Sequence, residues 1–483
     1  MPPIRTSRRS DIAAIAAIVT VAGLIRLAFA FRAPVFILHD SGSYFTPAWD
    51  LVNGLGFDLS PRRTPVYPGF LAASMVLIGE DLTGLILLQH GLGVVAAALT
   101  YVAGTLAFNR VAGAIAGLLV AVNGALLVSE HYLMPEALLT VLLLSALIVA
   151  VVAIRGGRLW LFGVTGALAG VAVLCKPVAQ TLWIAVPLVL LVCRPSPRRA
   201  ILASGAFFLG TAAIILPWMA RNALVHGSPS ISSALGQTLV ARTAKHDTGF
   251  KYFEQSRAQE YGDQSQVLAR RTVQGGINQR LSDGVIYRRV QEQLKLTDVE
   301  VAAFMRDLAT RVILDQPGYY LAGTARMSWA LLVGEEERLR TDWKTQNARL
   351  SRDEWEERIE HLLAKPSQTH QNEFDAADAV VSLYQPARIG LITALLAAFG
   401  LAWLSTQSHA RPALVFGVTA LGVILVSAAL DGPVARYRYP VDPLITLNAA
   451  GGGVAGVLGL QRVFKDWRPP RWLFGRPVAR HSA

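Results

Sequence analysis

Asp40 stands in His39-Asp40-Ser41-Gly42-Ser43-Tyr44, directly after the first long apolar stretch. A carboxylate beside a membrane helix is costly unless it is solvated or paired, so its presence points to a function. Only eight of the 33 Asp and Glu residues fall in the first 220 positions. Asp40 is therefore the first candidate for a general base that takes a proton from an acceptor hydroxyl. A place at the junction of loop and lipid is expected to raise its pKa toward the working pH. A helix cap or a solvated loop residue is the alternative reading. Tyr44, four residues on, shares a face with Asp40 if the segment is helical, and with His39 it is a candidate for lining a pocket.

Cations recur around the same short loops. Arg62-Arg63-Thr64-Pro65-Val66-Tyr67-Pro68 offers guanidinium forks, which match phosphate oxygens, with Tyr67 as a further lining residue. An anchor to lipid headgroups is the competing reading. Lys176 stands beside Pro177 between two apolar stretches, where it either snorkels or holds an anion. Leu216-Pro217-Trp218-Met219-Ala220-Arg221-Asn222 closes another apolar run, and Arg436-Tyr437-Arg438-Tyr439-Pro440 opens the last one. Arg63, Lys176, Arg221, Arg436 and Arg438 are the candidate anion binders, with Tyr437 beside them. Glu130 and His131 precede Met134-Pro135-Glu136. Pro135 and Glu136 suit the start of a helix, whereas Glu130 and His131 are less easily explained and join the candidate pocket. A metal site from Asp40, Glu130 and His131 is weakly supported, so a divalent cation is left open. Arg242 lies in an irregular stretch after Gly236-Gln237-Thr238 and is a further pocket candidate.

These residues need a membrane scaffold. The chain is 53% hydrophobic and only 16% charged, against roughly 25% charged in ordinary soluble domains. Mean hydropathy is +0.41. Several apolar runs are long enough to cross a bilayer. The expected fold is an all-α polytopic membrane protein, with spans near 12–31, 82–108, 111–128, 136–154, 159–175, 178–193, 200–219, 387–406, 412–430 and 441–463. The first span is too long for a removable signal peptide and is expected to remain. Cys175 and Cys193 suggest neither a disulfide framework nor a metal site.

The net charge of +12 is uneven: 221–385 holds 21 basic and 22 acidic residues, and the rest is strongly basic. In a membrane protein this bias records topology rather than nucleic-acid binding. With the N-terminus inside, Arg110, Arg155, Arg158, Arg194, Arg198, Arg199, Arg411 and the basic tail all fall on the cytoplasmic side. Asp40 then falls outside beside Arg62, Arg63, Lys176, Arg436 and Arg438, cations that oppose the positive-inside trend, as an anionic ligand at the outer surface would require. The expected organisation is an N-terminal membrane module over 1–219 with its outer loop at 32–81, an extracytoplasmic, mostly helical segment over 220–386, and a C-terminal membrane module with a basic tail over 387–483. Three prolines between Asp58 and Pro68 forbid a regular helix there, and Gly69–Ile78 is expected to lie along the membrane surface. Gly318–Val333, apolar around Arg326, reads as an interfacial helix or an uncounted span.

In series, these motifs resemble the GT-C class of membrane glycosyltransferases. Its bacterial branch includes protein mannosyltransferases, the aminoarabinose transferase of lipid A and lipopolysaccharide-core transferases. The resemblance rests on His39 to Tyr44, Arg63-Thr-Pro-Val-Tyr67-Pro, Glu136, Lys176-Pro177, Pro217-Trp-Met-Ala-Arg221-Asn222 and Ala435 to Pro440. It implies a GT-C-like bundle of about ten helices with outer juxtamembrane helices. It implies a polyprenyl-phosphate sugar as donor, a glycan, lipid or protein as acceptor, and inverting transfer at the outer face of a bacterial cytoplasmic membrane, with surrounding lipid and without nucleic acid. On this resemblance Asp40 is the base and the cations steady the leaving phosphate. One departure stands out: many relatives carry a second acidic residue directly after the loop Asp, where this chain has Ser41. A glycan polymerase or ligase, and a lipid-linked-sugar transporter, are the rival readings. The ligase predicts its catalytic residues in the large outer loop, and the transporter predicts charge at mid-membrane depth.

Overall fold

The computed structural model describes residues 8–31, 40–193, 196–334, 380 and 382–466. His39 and nearly all of residues 335–385, the last part of the expected extracytoplasmic segment, lie outside the described residues.

The chain folds into helices α1 (Arg8–Ala30), α2 (Gly42–Val52), α3 (Val66–Ile78), α4 (Leu82–Ala107), α5 (Arg110–Ala121), α6 (Gly124–His131), α7 (Glu136–Gly156), α8 (Leu159–Cys175), α9 (Leu182–Val192) and α10 (Pro197–His226). There follow α11 (Leu235–Val240), α12 (Gln264–Asn278), α13 (Asp283–Leu294), α14 (Asp298–Asp315) and α15 (Pro317–Val333). The last three helices are α16 (Gly390–Thr406), α17 (Leu414–Leu430) and α18 (Asp442–Asp466). Among the described residues the only strand-like pairing is an isolated bridge between Asn123 and Tyr384.

Among the described residues, six helical stretches are long and apolar enough to cross a membrane: Arg9–Ala30, Leu82–Ala107, Glu136–Gly156, Pro197–His226, Arg411–Leu430 and Ala435–Gly459. The other four expected spans are apolar but shorter. The expected span at 111–128 is interrupted: Asn123 breaks it, accepts from the amides of Ala125 and Leu126, and caps α6. Backbone from the other half of the chain meets the break, where Gly124 N donates to Tyr384 O at 2.8 Å. The expected surface helix at 69–78 is α3.

Small residues set the closest approach in the bundle. A Cβ on Gly166 would stand 1.9 Å from Phe207 O, and one on Gly210 would stand 2.0 Å from Gly163 O. Glycine therefore lets α8 and α10 touch backbone to backbone, as membrane helices do where packing replaces the hydrophobic effect. A second core, formed by Tyr252, Val273, Ile286, Val290, Met305, Leu308 and their neighbours, gathers α11 to α14 into a small helical unit. The stretch 318–333 is one helix, α15, which packs on α16 and α17.

The two ends of the bundle differ in charge pattern. Arg110 pairs with Asp11 at the start of α1, Arg155 donates to Leu106 O at the end of α4, and Arg199 lies beside Gly157. These arginines, assigned to one side by charge, share one end. The candidate anion-binding loops share the other.

Candidate functional site

Asp40 stands one residue before Ser41, the N-cap of α2, and Ser43 Oγ donates back to Asp40 O at 2.6 Å. The turn fixes the carboxylate toward the proline-rich loop before α3. There Arg63 Nη2 donates to Asp40 Oδ1 at 2.6 Å, Nη1 donates to the Tyr44 hydroxyl at 3.0 Å, and Nε donates to Ser43 Oγ at 2.9 Å. The Arg63 guanidinium also lies 4.5 Å from the centre of the Tyr44 ring. From nearly 400 residues away, Arg436 reaches Asp40 Oδ2 at 2.9 Å. The loop Asp is thus clamped between two guanidiniums, one per oxygen. Side-chain exposures of 31% for Asp40, 23% for Arg63 and 28% for Arg436 leave room for a ligand.

A second pair extends the cluster. Lys176 Nζ donates to Glu136 Oε1 at 2.6 Å and lies 4.7 Å from the centre of the Tyr437 ring. Arg436 packs on the same ring, and Tyr437 donates its hydroxyl to Asp431. Glu136 Oε2 is buried with no hydrogen-bond partner among the described residues. The sequence assigns Glu136 to the start of a helix, and it does open α7. The structure adds that it is the cluster's second carboxylate. The signal for this was Lys176, a cation whose expected place ran against the positive-inside trend and which therefore required a partner.

Tyr67 closes the floor. Its ring meets the Tyr44 ring edge-on at 5.3 Å, and its hydroxyl donates to Gln89 Oε1 at 2.6 Å. Gln89 Nε2 in turn donates to the carbonyls of Glu130 and Tyr132.

The electrostatics overturn one expectation. Burial raises the Asp40 carboxyl, but Arg436 and Arg63 outweigh it and hold it well below the usual carboxylate range. The expected upward shift is therefore corrected: loop and lipid are weaker influences than two adjacent guanidiniums. The sign follows from the depressed pKa. The ion pairs stabilise the fold above the ordinary carboxylate pKa and are lost only as pH falls through the lowered value. Burial pushes the Tyr44 hydroxyl up to about 12, so it remains protonated.

The remaining candidates lie elsewhere. Glu130 forms a two-point pair with Arg26, at 2.8 and 2.7 Å, and its Oε2 lies 3.0 Å from His90 Nδ1. His90 Nε2 continues to His131 Nδ1 at 3.0 Å. All four side chains are buried. No group of three or more His, Cys, Asp or Glu suited to a metal is found among the described residues, so Asp40, Glu130 and His131 do not assemble as ligands. Arg242 is fully buried against Asp247 and the carbonyls of Ala428 and Tyr320. Arg221 lies against Asn222, His226 and the Trp218 ring.

Arg438 Nε donates to Asp442 Oδ1 at 2.7 Å, with both side chains almost fully buried. This pair sits at the start of α18 and points away from the role assigned to its neighbour. Arg438→Ala strands a buried carboxylate and is expected to cost about 3–5 kcal/mol of stability. A lowered unfolding temperature with an unchanged donor KM in the surviving folded protein is the expected measurement.

Residues 62–223 match the family model described as dolichyl-phosphate-mannose-protein mannosyltransferase. That family is of the GT-C class, which the sequence motifs also resemble. The match contains Arg63, Tyr67, Glu136 and Lys176, while Asp40 and Arg436 lie beyond its limits. No curated protein matches the chain. Among solved structures, the oligosaccharyltransferase AglB from Archaeoglobus fulgidus, in complex with an inhibitory peptide and a dolichol-phosphate, is 12% identical with a TM-score of 0.47. The alignment covers 94% of this chain and 52% of that one, so the chain spans about half the length of that enzyme. ArnT from Cupriavidus metallidurans bound to undecaprenyl phosphate is 14% identical with a TM-score of 0.40, covering 96% of this chain and 82% of the other.

Proposed function

We propose that the protein is a GT-C-type glycosyltransferase that moves a sugar from a polyprenyl-phosphate-linked donor to an acceptor hydroxyl of the cell envelope. The reaction takes place at the outer face of the cytoplasmic membrane. The observation that carries this reading is the Asp40 carboxylate held between Arg63 and Arg436 beside the Lys176–Glu136 pair. A base and several cations at one end of an apolar bundle suit a substrate whose tail is lipid and whose reacting head is an anionic sugar phosphate.

In the proposed reaction the acceptor O–H gives its proton to Asp40 as its oxygen bonds to the anomeric carbon. The bond from that carbon to the phosphate oxygen breaks, and polyprenyl phosphate leaves as the anion. One displacement inverts the anomeric centre. Arg63, Arg436 and Lys176 stabilise the charge that develops on the leaving phosphate, a contribution that preorganised cations make without reorganisation. Glu136 supplies a second carboxylate from α7 where the loop has Ser41, and the membrane modules over 1–219 and 387–483 each contribute one arginine to Asp40.

The glycan-ligase reading places chemistry in the large segment after α10, and the transporter reading needs no base. The two are separated from the proposal by one assay: transfer from synthetic polyprenyl-phosphate sugars by the purified protein. Arg63→Ala is expected to raise the donor KM about tenfold or more, because a charge-assisted contact to phosphate is lost. Donor dependence equal to wild type sinks the phosphate role.

A further inference from the structure

The two arginines on Asp40 are held very differently. Each nitrogen of Arg63 is engaged, Nε on Ser43, Nη1 on Tyr44 and Nη2 on Asp40, with its face on the Tyr44 ring, which leaves one N–H on each Nη for a phosphate. Arg436 reaches Asp40 through Nη2, while its Nε is buried with no hydrogen-bond partner among the described residues. Arg436 also belongs to a single short turn, Ala435–Tyr437, rather than to a long helix. Moving Arg63 breaks three hydrogen bonds and a ring contact at once. Moving Arg436 breaks one ion pair and its packing on the Tyr437 ring, and lets an unsatisfied Nε donor find an acceptor.

We infer that Arg436 is an exchangeable arm, which holds Asp40 in the empty site and passes to the phosphate of an incoming lipid-linked donor, while Arg63 stays in place. This rests on the proposed reading of the site as one for a lipid-linked sugar phosphate. Phosphate and carboxylate compete for the same guanidinium donors: the donor's phosphodiester presents two free oxygens to the guanidinium fork, and the polyprenyl phosphate that leaves presents three. The exchange releases Asp40 Oδ2 only when donor is present. Asp40 faces Arg63, Arg436 and Tyr44, with the Lys176–Glu136 pair across the Tyr437 ring. Removing one of its two cationic partners makes it a stronger base. The empty enzyme thus keeps Asp40 weakly basic, and donor binding precedes acceptor deprotonation.

The test uses the full chain in lipid nanodiscs with undecaprenyl phosphate as the probe. Carbodiimide labelling of Asp40, read by mass spectrometry across a pH series, gives the midpoint at which the carboxyl becomes protonated. In wild type, saturating lipid is expected to raise that midpoint by about one pH unit or more. In Arg436→Ala the midpoint is already raised without lipid, lipid moves it less, and the Kd for lipid rises about tenfold. A lipid-dependent rise of equal size in Arg436→Ala overturns the exchange, because the phosphate's own charge then accounts for it. An unmoved midpoint in wild type that binds the lipid also overturns the exchange but leaves the proposed function standing. Failure of wild type to bind the lipid overturns the proposed function and the exchange together. Arg436→Lys keeps the charge and serves if the alanine variant does not fold: it retains a smaller lipid-dependent shift, and the absence of any shift in it counts against the exchange.

Discussion

Asp40→Asn is expected to lower the turnover of sugar transfer by about 10²–10⁴-fold, the range a lost general base costs. The same substitution is expected to leave the fold and membrane insertion intact. An amide keeps the shape of the side chain and still offers one oxygen to Arg63, and the site is open enough that no charge is stranded in a dry interior. The informative companion measurement is lipid affinity. A purely structural carboxylate would loosen the phosphate site when neutralised, because Arg63 and Arg436 would lose their organiser. A base that competes with phosphate for Arg436 predicts the reverse: Asp40→Asn binds undecaprenyl phosphate at least as tightly as wild type. Wild-type turnover in the purified variant removes Asp40 from the chemistry. Weaker lipid binding with slow turnover makes it an organiser instead.

The membrane scaffold was legible because bilayer crossing is a demand on composition and length, both of which are local properties of sequence. Helices α1, α4, α7, α10, α17 and α18 fall where apolar runs predict them. The break at Asn123 was not legible, because what stabilises it is backbone from Tyr384 and a side-chain cap within an otherwise apolar run. The site divides in the same way. That outer-loop cations and carboxylates belong together followed from their conflict with the positive-inside trend. Which cation meets which carboxylate did not follow, because Arg436 and Asp40 are joined only by the packing of helices far apart in sequence. Arg436 and Arg438 are equivalent on paper. In the fold two positions separate a residue on Asp40 from a residue locked to Asp442. The direction of the Asp40 shift was lost for the same reason, since it depends on the partners.

Arg26 is the other residue whose meaning depended on a distant partner. In the sequence it is a lone cation near the end of the first span. In the fold it is almost completely buried and donates to both oxygens of Glu130, which also meets His90. A Cβ on Gly93 would stand 2.1 Å from Glu130 Oε1, so α4 needs glycine there to admit the carboxylate. Glu130→Ala leaves a guanidinium buried without its counter-charge and is expected to cost about 3–5 kcal/mol. The measurement is thermal unfolding in detergent, with Arg26→Met as the reciprocal variant. Each single change is expected to lower the unfolding temperature strongly. The double variant is expected to recover part of the loss, because replacing both partners by apolar groups removes the unpaired charge. Simple additivity of the two losses is incompatible with a direct pair. A site-level effect is expected as well. The Glu130 backbone carbonyl receives Gln89, Gln89 receives Tyr67, and the Tyr67 ring abuts Tyr44, which receives Arg63. The folded fraction of Glu130→Ala therefore has an elevated donor KM, while a variant that disturbs only the far end of the bundle, such as Arg155→Ala, does not.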